Sequence, residues 1–330
     1  MLTLEDRRKP AWQTVGQEIK HLSLNDAATK AGFNFEVEKE PLVCLVHASS
    51  FTVNEHLETE EVIVEDLRRV PDKYVTYRLD TGDPLGVVGD RYKVIQTSET
   101  LAVAGALMGE GWQPQFAGER SNGAVTFMYG TLPHHIKNDE IEPGMLLINS
   151  FDGSTGFLVV NTMMRLECTN ALRLAFANAK GRFSFRHTGE WRTRLGEASS
   201  ALKVATQYAK VFDDQIGEML KLQVTRQDAK RIIEHVFPLD VTDPIMTERS
   251  RSQRMTRRLQ ILDTLDNSTT IPHEMRHTGW GLIQAVSEFE QWRDRSISNE
   301  RRADLLLKEQ QSSRGGAWLT KTHSLLKQMI

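Results

Sequence analysis

The chain has 330 residues, with 41 Lys and Arg against 44 Asp and Glu, for a net charge of −3. That length allows about two domains and a core that needs no staples, and the near-neutral balance excludes a uniformly basic nucleic-acid coat. Two cysteines exclude a disulfide framework, and the longest nearly apolar run, residues 42–48, is far short of the roughly 20 residues that span a membrane. Residues 1–9 (MLTLEDRRK) have no apolar secretory core. The expectation is a reduced, cytoplasmic protein with no membrane partner.

In chain order, residues 1–70 hold eight basic and thirteen acidic residues. Glu58, Glu60, Glu61, Glu65 and Asp66 make residues 53–69 acid-rich, which predicts a surface loop. Residues 74–79 alternate Val75, Tyr77 and Leu79 on one expected face of a strand. Gly82 and Pro84 then make a turn, and residues 85–95 return as a second strand. Ser98 can cap a helix carrying Leu101, Ala104, Leu107 and Met108, closed by Gly109 or Gly111. Two more hairpins follow. One joins 112–116 to 124–132 around Ser121, Asn122 and Gly123; the other joins 145–149 to 157–166 around Asp152 and Gly153. Thr169 or Asn170 can cap a short helix ending near Gly181, and Phe183 and Phe185 alternate as one more strand.

This order predicts an α+β fold of antiparallel β-hairpins with packed helices, followed by a helical C-terminal region. The expected divisions are an N-terminal segment with an acidic loop (1–70), an α+β core (71–190) and a helical region (191–330). Leu195, Ala198, Leu202, Ala205, Ala209, Phe212, Ile216 and Met219 form a heptad seam over 195–219. The seam fits either a helix of the same chain, with Trp280, Ile283, Val286, Phe289 and Trp292 as candidate, or self-association.

Residues 161–194 hold seven basic and two acidic residues, and Arg249, Arg251, Arg254, Arg257 and Arg258 form a second cluster. Two basic patches on a slightly acidic chain fit either a local anionic partner or ion pairs with the surplus acids. Phe176, Phe183, Phe185 and Trp191 interleave with Arg173, Arg182, Arg186, Arg192 and Arg194. Arginines that hold phosphates beside aromatics that stack bases are what single-stranded nucleic acid requires. Arg165 joins this candidate set, and His187 would add pH-dependent charge. Asn149, Asp152 and Asn170 are further polar positions in and after the third hairpin.

Phosphate-cradling glycine loops and the G-x-S-x-G elbow are absent from the sequence. Cys168 reads as a small core residue, and neighbouring His134 and His135 point to opposite faces of a strand, which is awkward for one metal. Residues 273–277 (HEMRH) match H-E-x-x-H, in which His273 and His277 would bind zinc and Glu274 would activate water, with Glu300 as a third ligand. Pro272 before the motif and Gly279 and Gly281 after it weaken the helix it needs. No enzymatic activity or cofactor is therefore assigned; a zinc-dependent hydrolase is the alternative.

Six segments carry a family resemblance: 10–16 (PAWQTVG), 80–96 (DTGDPLGVVGDRYKVIQ), 149–154 (NSFDGS), 165–170 (RLECTN), 186–189 (RHTG) and 278–288 (TGWGLIQAVSE). Together they resemble the phage/plasmid-like protein family, a family of unknown function found on phages, prophages and plasmids. The resemblance implies a mobile-element origin and supplies no activity. The order of hairpins and helices also loosely resembles annealing proteins of recombination systems, which form rings. The leading expectation is single-stranded DNA binding or annealing. The alternative is an interaction factor that reaches a host protein through the heptad helix or the acidic segment.

Overall fold

The computed structural model describes residues 11–53, 59–134, 141–165, 171–172, 182–185, 187–188, 198–239, 247–292 and 317–329, with positions 136, 139, 298, 301 and 305. In chain order the elements are α1 (Ala11–Val15), β1 (Gln17–Glu18), α2 (Leu24–Lys30), β2 (Val37–Val53), β3 (Thr59–Arg78), β4 (Pro84–Gly89), α3 (Thr97–Gly109), β5 (Gln113–Arg120), β6 (Val125–Thr131), β7 (Ile141–Ser150), β8 (Phe157–Arg165), β9 (Ala171–Leu172) and β10 (Arg182–Phe185). Helices follow: α4 (Ala198–Lys221), α5 (Arg226–Val236), α6 (Glu248–Asn267), α7 (Gly279–Trp292) and α8 (Ala317–Lys327). The fold is α+β with two antiparallel sheets. One sheet is ordered β1-β5-β6-β7-β8-β10, with β9 also on β8; the other is β2-β3-β4. No helix among the described residues is long and apolar enough to cross a membrane.

Three cores hold it together. One face of the large sheet, through Met128, Met145, Leu147 and Val159, packs on α2, α3 and Ala205 of α4. The other face buries Phe127, Tyr129, Leu146, Ile148, Leu158 and Val160. The third core lies among α4 to α8. The heptad seam enters it: Ala209, Phe212, Ile216 and Met219 are fully buried, as are Ile283 and Val286 of α7. Phe212 meets Trp280 edge-on, with ring centroids 6.0 Å apart. Residues 195–197 lie outside the described residues. Trp280 also donates to Asp139 at 2.6 Å, which ties α7 to the β6–β7 connection.

The turns form where expected. Ser121, Asn122 and Gly123 take φ of +54, +57 and +92, and the Glu119 carboxylate accepts from Gly123 N–H at 2.6 Å. Gly153 turns the next hairpin at φ +74. The start of α3 lies two residues before expectation. Gln96 is its cap, with the Gln96 backbone N–H donating to Glu99 at 2.8 Å, so Ser98 is already helical.

Four expectations are corrected. Residues 59–69 are strand and not loop, because they pair residue by residue with 43–53 of β2 in a continuous antiparallel register. As a result β3 runs through residue 70, where a division was expected. Along 74–79 the fully buried side chain is Thr76, while Leu79 is 45% exposed, because the Thr76 face lies against the third-hairpin turn. The return strand stops at Gly89, where the chain leaves to place Tyr92 and Ile95. Finally, Ala171 and Leu172 pair with Met164 and Met163 as strand β9, where a helix was expected to begin; residues 173–181 of that expected helix lie outside the described residues.

Candidate functional site

Three of the segments that carry the family resemblance meet at one junction. The β7–β8 turn supplies its frame. Asp152 accepts from Ser154 N–H at 2.8 Å, and Ser150 Oγ donates to Thr155 O at 2.7 Å. These side chains satisfy turn groups that a strand ladder cannot reach. Asn149 is fully buried and donates to Ile95 O at 2.8 Å, pinning the 80–96 segment to the sheet. Thr76 Oγ1 donates to Phe151 O at 2.6 Å, and Tyr92 Oη donates to Ser150 O at 2.7 Å. Gly86 lies against the turn so closely that a Cβ there would sit 2.5 Å from Asp152 Cα.

His187 closes the junction. Its ring stacks on Tyr92, with centroids 4.7 Å apart and planes at 11°. Its Nδ1 lies 3.1 Å from Lys93 O, and its carbonyl accepts from Lys93 N–H at 2.6 Å. Burial pushes its pKa down to about 4, against an opposing pull from the Lys93 carbonyl and Asp152. The ring is therefore neutral at pH 7, Nδ1–H donates to Lys93 O, and Nε2 is a buried acceptor with no partner. This corrects the expectation for His187. It is 4% exposed and uncharged, so it is a packing group and not a phosphate contact.

The expected polar set separates. Asn149, Asp152 and His187 come together. Arg165 stands at the far end of β8, opposite Ile141, eight positions or about 26 Å along the strand from Phe157 beside the turn. Arg173, Arg186, Arg192 and Arg194, with Asn170 and Cys168, lie outside the described residues. Of the basic segment, the backbone places β9 opposite Met163 and Met164, and Arg182 opposite Val160. The segment from Arg165 to Arg182 thus returns twice to the same edge of β8.

The second basic cluster is mostly committed inside the fold. Arg258 donates to Phe237 O at 2.7 Å and pairs with Glu234, Arg254 donates to Pro238 O at 2.6 Å, and Arg257 lies over Trp318 at 5.5 Å. Arg258 thereby caps the C-terminal carbonyls of α5, where the helix dipole is negative.

The H-E-x-x-H segment is not helical. His273 to Met275 form a single 3-10 turn, and α7 begins only at Gly279. The His273 and His277 rings are 6.3 Å apart at 82°, and His273, Glu274 and His277 are all exposed. Arg276 holds the turn, donating to Asp266 O, Ser268 O and Ile271 O at 2.6, 2.9 and 3.3 Å. Gly281 is required there, since a Cβ would sit 2.0 Å from Met275 O. Among the described residues no three His, Cys, Asp or Glu group to hold a metal, and Glu300 lies outside them. The zinc reading needs one rigid helical face, and this turn does not provide it, so no step through zinc follows.

A shallow cavity of about 600 Å³ opens between the β1–α2 connection and the passage from α3 into β5, lined by Lys20, His21, Met108, Trp112 and Gln115. Sequence reasoning did not single it out. His21 there has φ +63, and the Trp112 indole N–H is buried without a partner. The positive φ is visible only in the folded backbone.

No curated protein and no solved structure matches the chain. A family model does, over residues 84–315, which takes in the junction, the basic segment and most of the helical core. The chain belongs to the domain-of-unknown-function family DUF932.

Proposed function

We propose that the protein binds single-stranded nucleic acid, as a binding or annealing factor in mobile-element DNA metabolism in the cytoplasm. The observation that carries the reading is the path of the basic segment. Backbone pairing returns it to β8 at residues 163–164 and again at 157–160. That sets Arg165 and Arg182 along one sheet edge, five positions or about 17 Å apart and so at register positions on opposite faces of the sheet, on a chain of slightly negative charge. Phosphate contacts made by such a strip release counterions, and aromatics in the same segment offer stacking faces. The committed state of Arg254, Arg257 and Arg258 leaves this strip as the better candidate of the two basic patches. His187 is left out of the contact set, because its ring is buried and neutral.

Fluorescence anisotropy with a labelled single-stranded oligonucleotide tests this across a salt series. Affinity should fall log-linearly with salt, with a slope of about −0.7 per phosphate contact. Arg182→Ala and Arg165→Ala should each flatten that slope by roughly one contact. Absence of binding at low salt, or binding indifferent to salt, removes the reading.

A further inference from the structure

Strand β2 is finished at its base, and beyond it no described strand covers its edge. At Val37 the Gln96 side chain occupies the outer edge: Val37 N–H donates to Gln96 Oε1 at 3.1 Å, and Gln96 Nε2 donates to Val37 O at 2.8 Å. One side-chain amide there substitutes for a neighbouring strand. Past Pro41 the treatment changes. Residues 42–53 contain no Asp, Glu, Lys, Arg, Gly or Pro. Among the described residues no strand pairs with this edge, since β2 ends the order β2-β3-β4.

Exposed edges are normally guarded by charges, prolines or bulges, because unpaired N–H and C=O groups recruit other strands. Strand β3 carries such a guard over the same length, with Glu60, Glu61, Glu65, Asp66, Arg68 and Arg69. Its partner carries none. The ribbon is also uncovered. Val43 and Leu45 are 50% and 55% exposed, and Leu67, directly across from Leu45, is 67% exposed. A two-stranded ribbon with open faces is marginal in water by itself.

We propose that the edge of β2 pairs with β2 of a second copy of this chain, antiparallel about a two-fold axis, giving a four-stranded ribbon β3-β2-β2-β3. Charge selects the occupant. A strand with no formal charge over twelve residues meets an identical strand without repulsion, whereas two copies of β3 would set acid against acid. The two-fold alignment keeps residues of one parity together, so the face bearing Val43 and Leu45 is continuous across both copies. The paired length is about 40 Å. This surface is separate from the basic strip on β8 and does not depend on the nucleic-acid reading.

Light scattering after gel filtration tests the proposal with two matched variants. Leu45→Lys with Ser49→Lys places lysines on the bare strand. Leu67→Lys with Ile63→Lys places them on the cross-strand partners in β3, on the same face. The wild type should be dimeric, the β2 variant should dimerise at least about tenfold more weakly, and the β3 variant should stay within about threefold of wild type. A monomeric wild type overturns the proposal. Equal loss in both variants overturns it in favour of face packing, and retention in both assigns the dimer to another surface. Amide exchange on the wild type needs no substitution. Exchange in residues 42–53 should slow about tenfold as the dimer forms, and concentration-independent exchange there also overturns the pairing.

Discussion

His187 is worth more to stability than to ligand contact. Its folded pKa of about 4 lies below the ordinary 6.5, so between these values the unfolded chain holds the proton and the folded chain does not. Stability from this residue is therefore complete above pH 6.5 and is lost as pH falls toward 4, by about 3 kcal/mol over the window. Burial shifts His323 in the same direction, so a single melting curve mixes the two groups. The difference between wild type and His187→Phe isolates one of them. That variant keeps the stack on Tyr92, and its melting temperature should vary less between pH 6.5 and 4, measured by circular dichroism. The sequence placed His187 in a family segment, but not in the core. Nothing local distinguishes a histidine facing phosphate from one stacked on a tyrosine 95 positions earlier.

At the scale of elements, close backbone approaches decide where strands and turns can meet. Gly86→Ala would drive a Cβ into the backbone of Asp152. It should cost about 2 kcal/mol or more, because neither hairpin can yield without breaking the Thr76 and Tyr92 hydrogen bonds. Amide exchange should rise together at residues 85–88 and 150–153, which would show the junction opening as one unit. The 273–277 turn gives a paired test. Arg276→Ala removes a cation shared by three carbonyls and should cost about 2 kcal/mol in denaturant unfolding. Glu274→Gln changes an exposed side chain and should stay within roughly 0.5 kcal/mol of wild type. The hairpin turns at 121–123 and 152–153 were legible because positive φ has a residue signature in Asn and Gly. The long arm was not, since its acids resembled a loop.

At the scale of the whole molecule, the base of the arm is tied to the body through Thr76, while its outer part lies outside the cores. Past Val37, no described residue of β2 or β3 belongs to any of the three cores. Replacing residues 45–67 by a two-residue Asn-Gly turn, which closes on the Cys44–Arg68 pair, should leave the melting temperature of the body within a few degrees. The same deletion should abolish dimerisation in light scattering while preserving salt-dependent binding of single strands. A body that fails to fold without the arm would show that the arm carries stability for the whole chain.

The sequence by itself determined the α+β class, the hairpin turns and α3 to within two residues of its start, and it named α7 as one of two candidate partners for the heptad seam. Each rests on local periodicity or turn chemistry, where a few neighbouring residues suffice. Tertiary structure alone decided which histidines are buried, which arginine caps α5, and that H-E-x-x-H is a turn and not a helix. It also decided that twelve uncharged residues run along an edge that no described strand covers. These outcomes depend on what lies across a sheet or beyond a helix end, and a single chain read in order does not contain that distance.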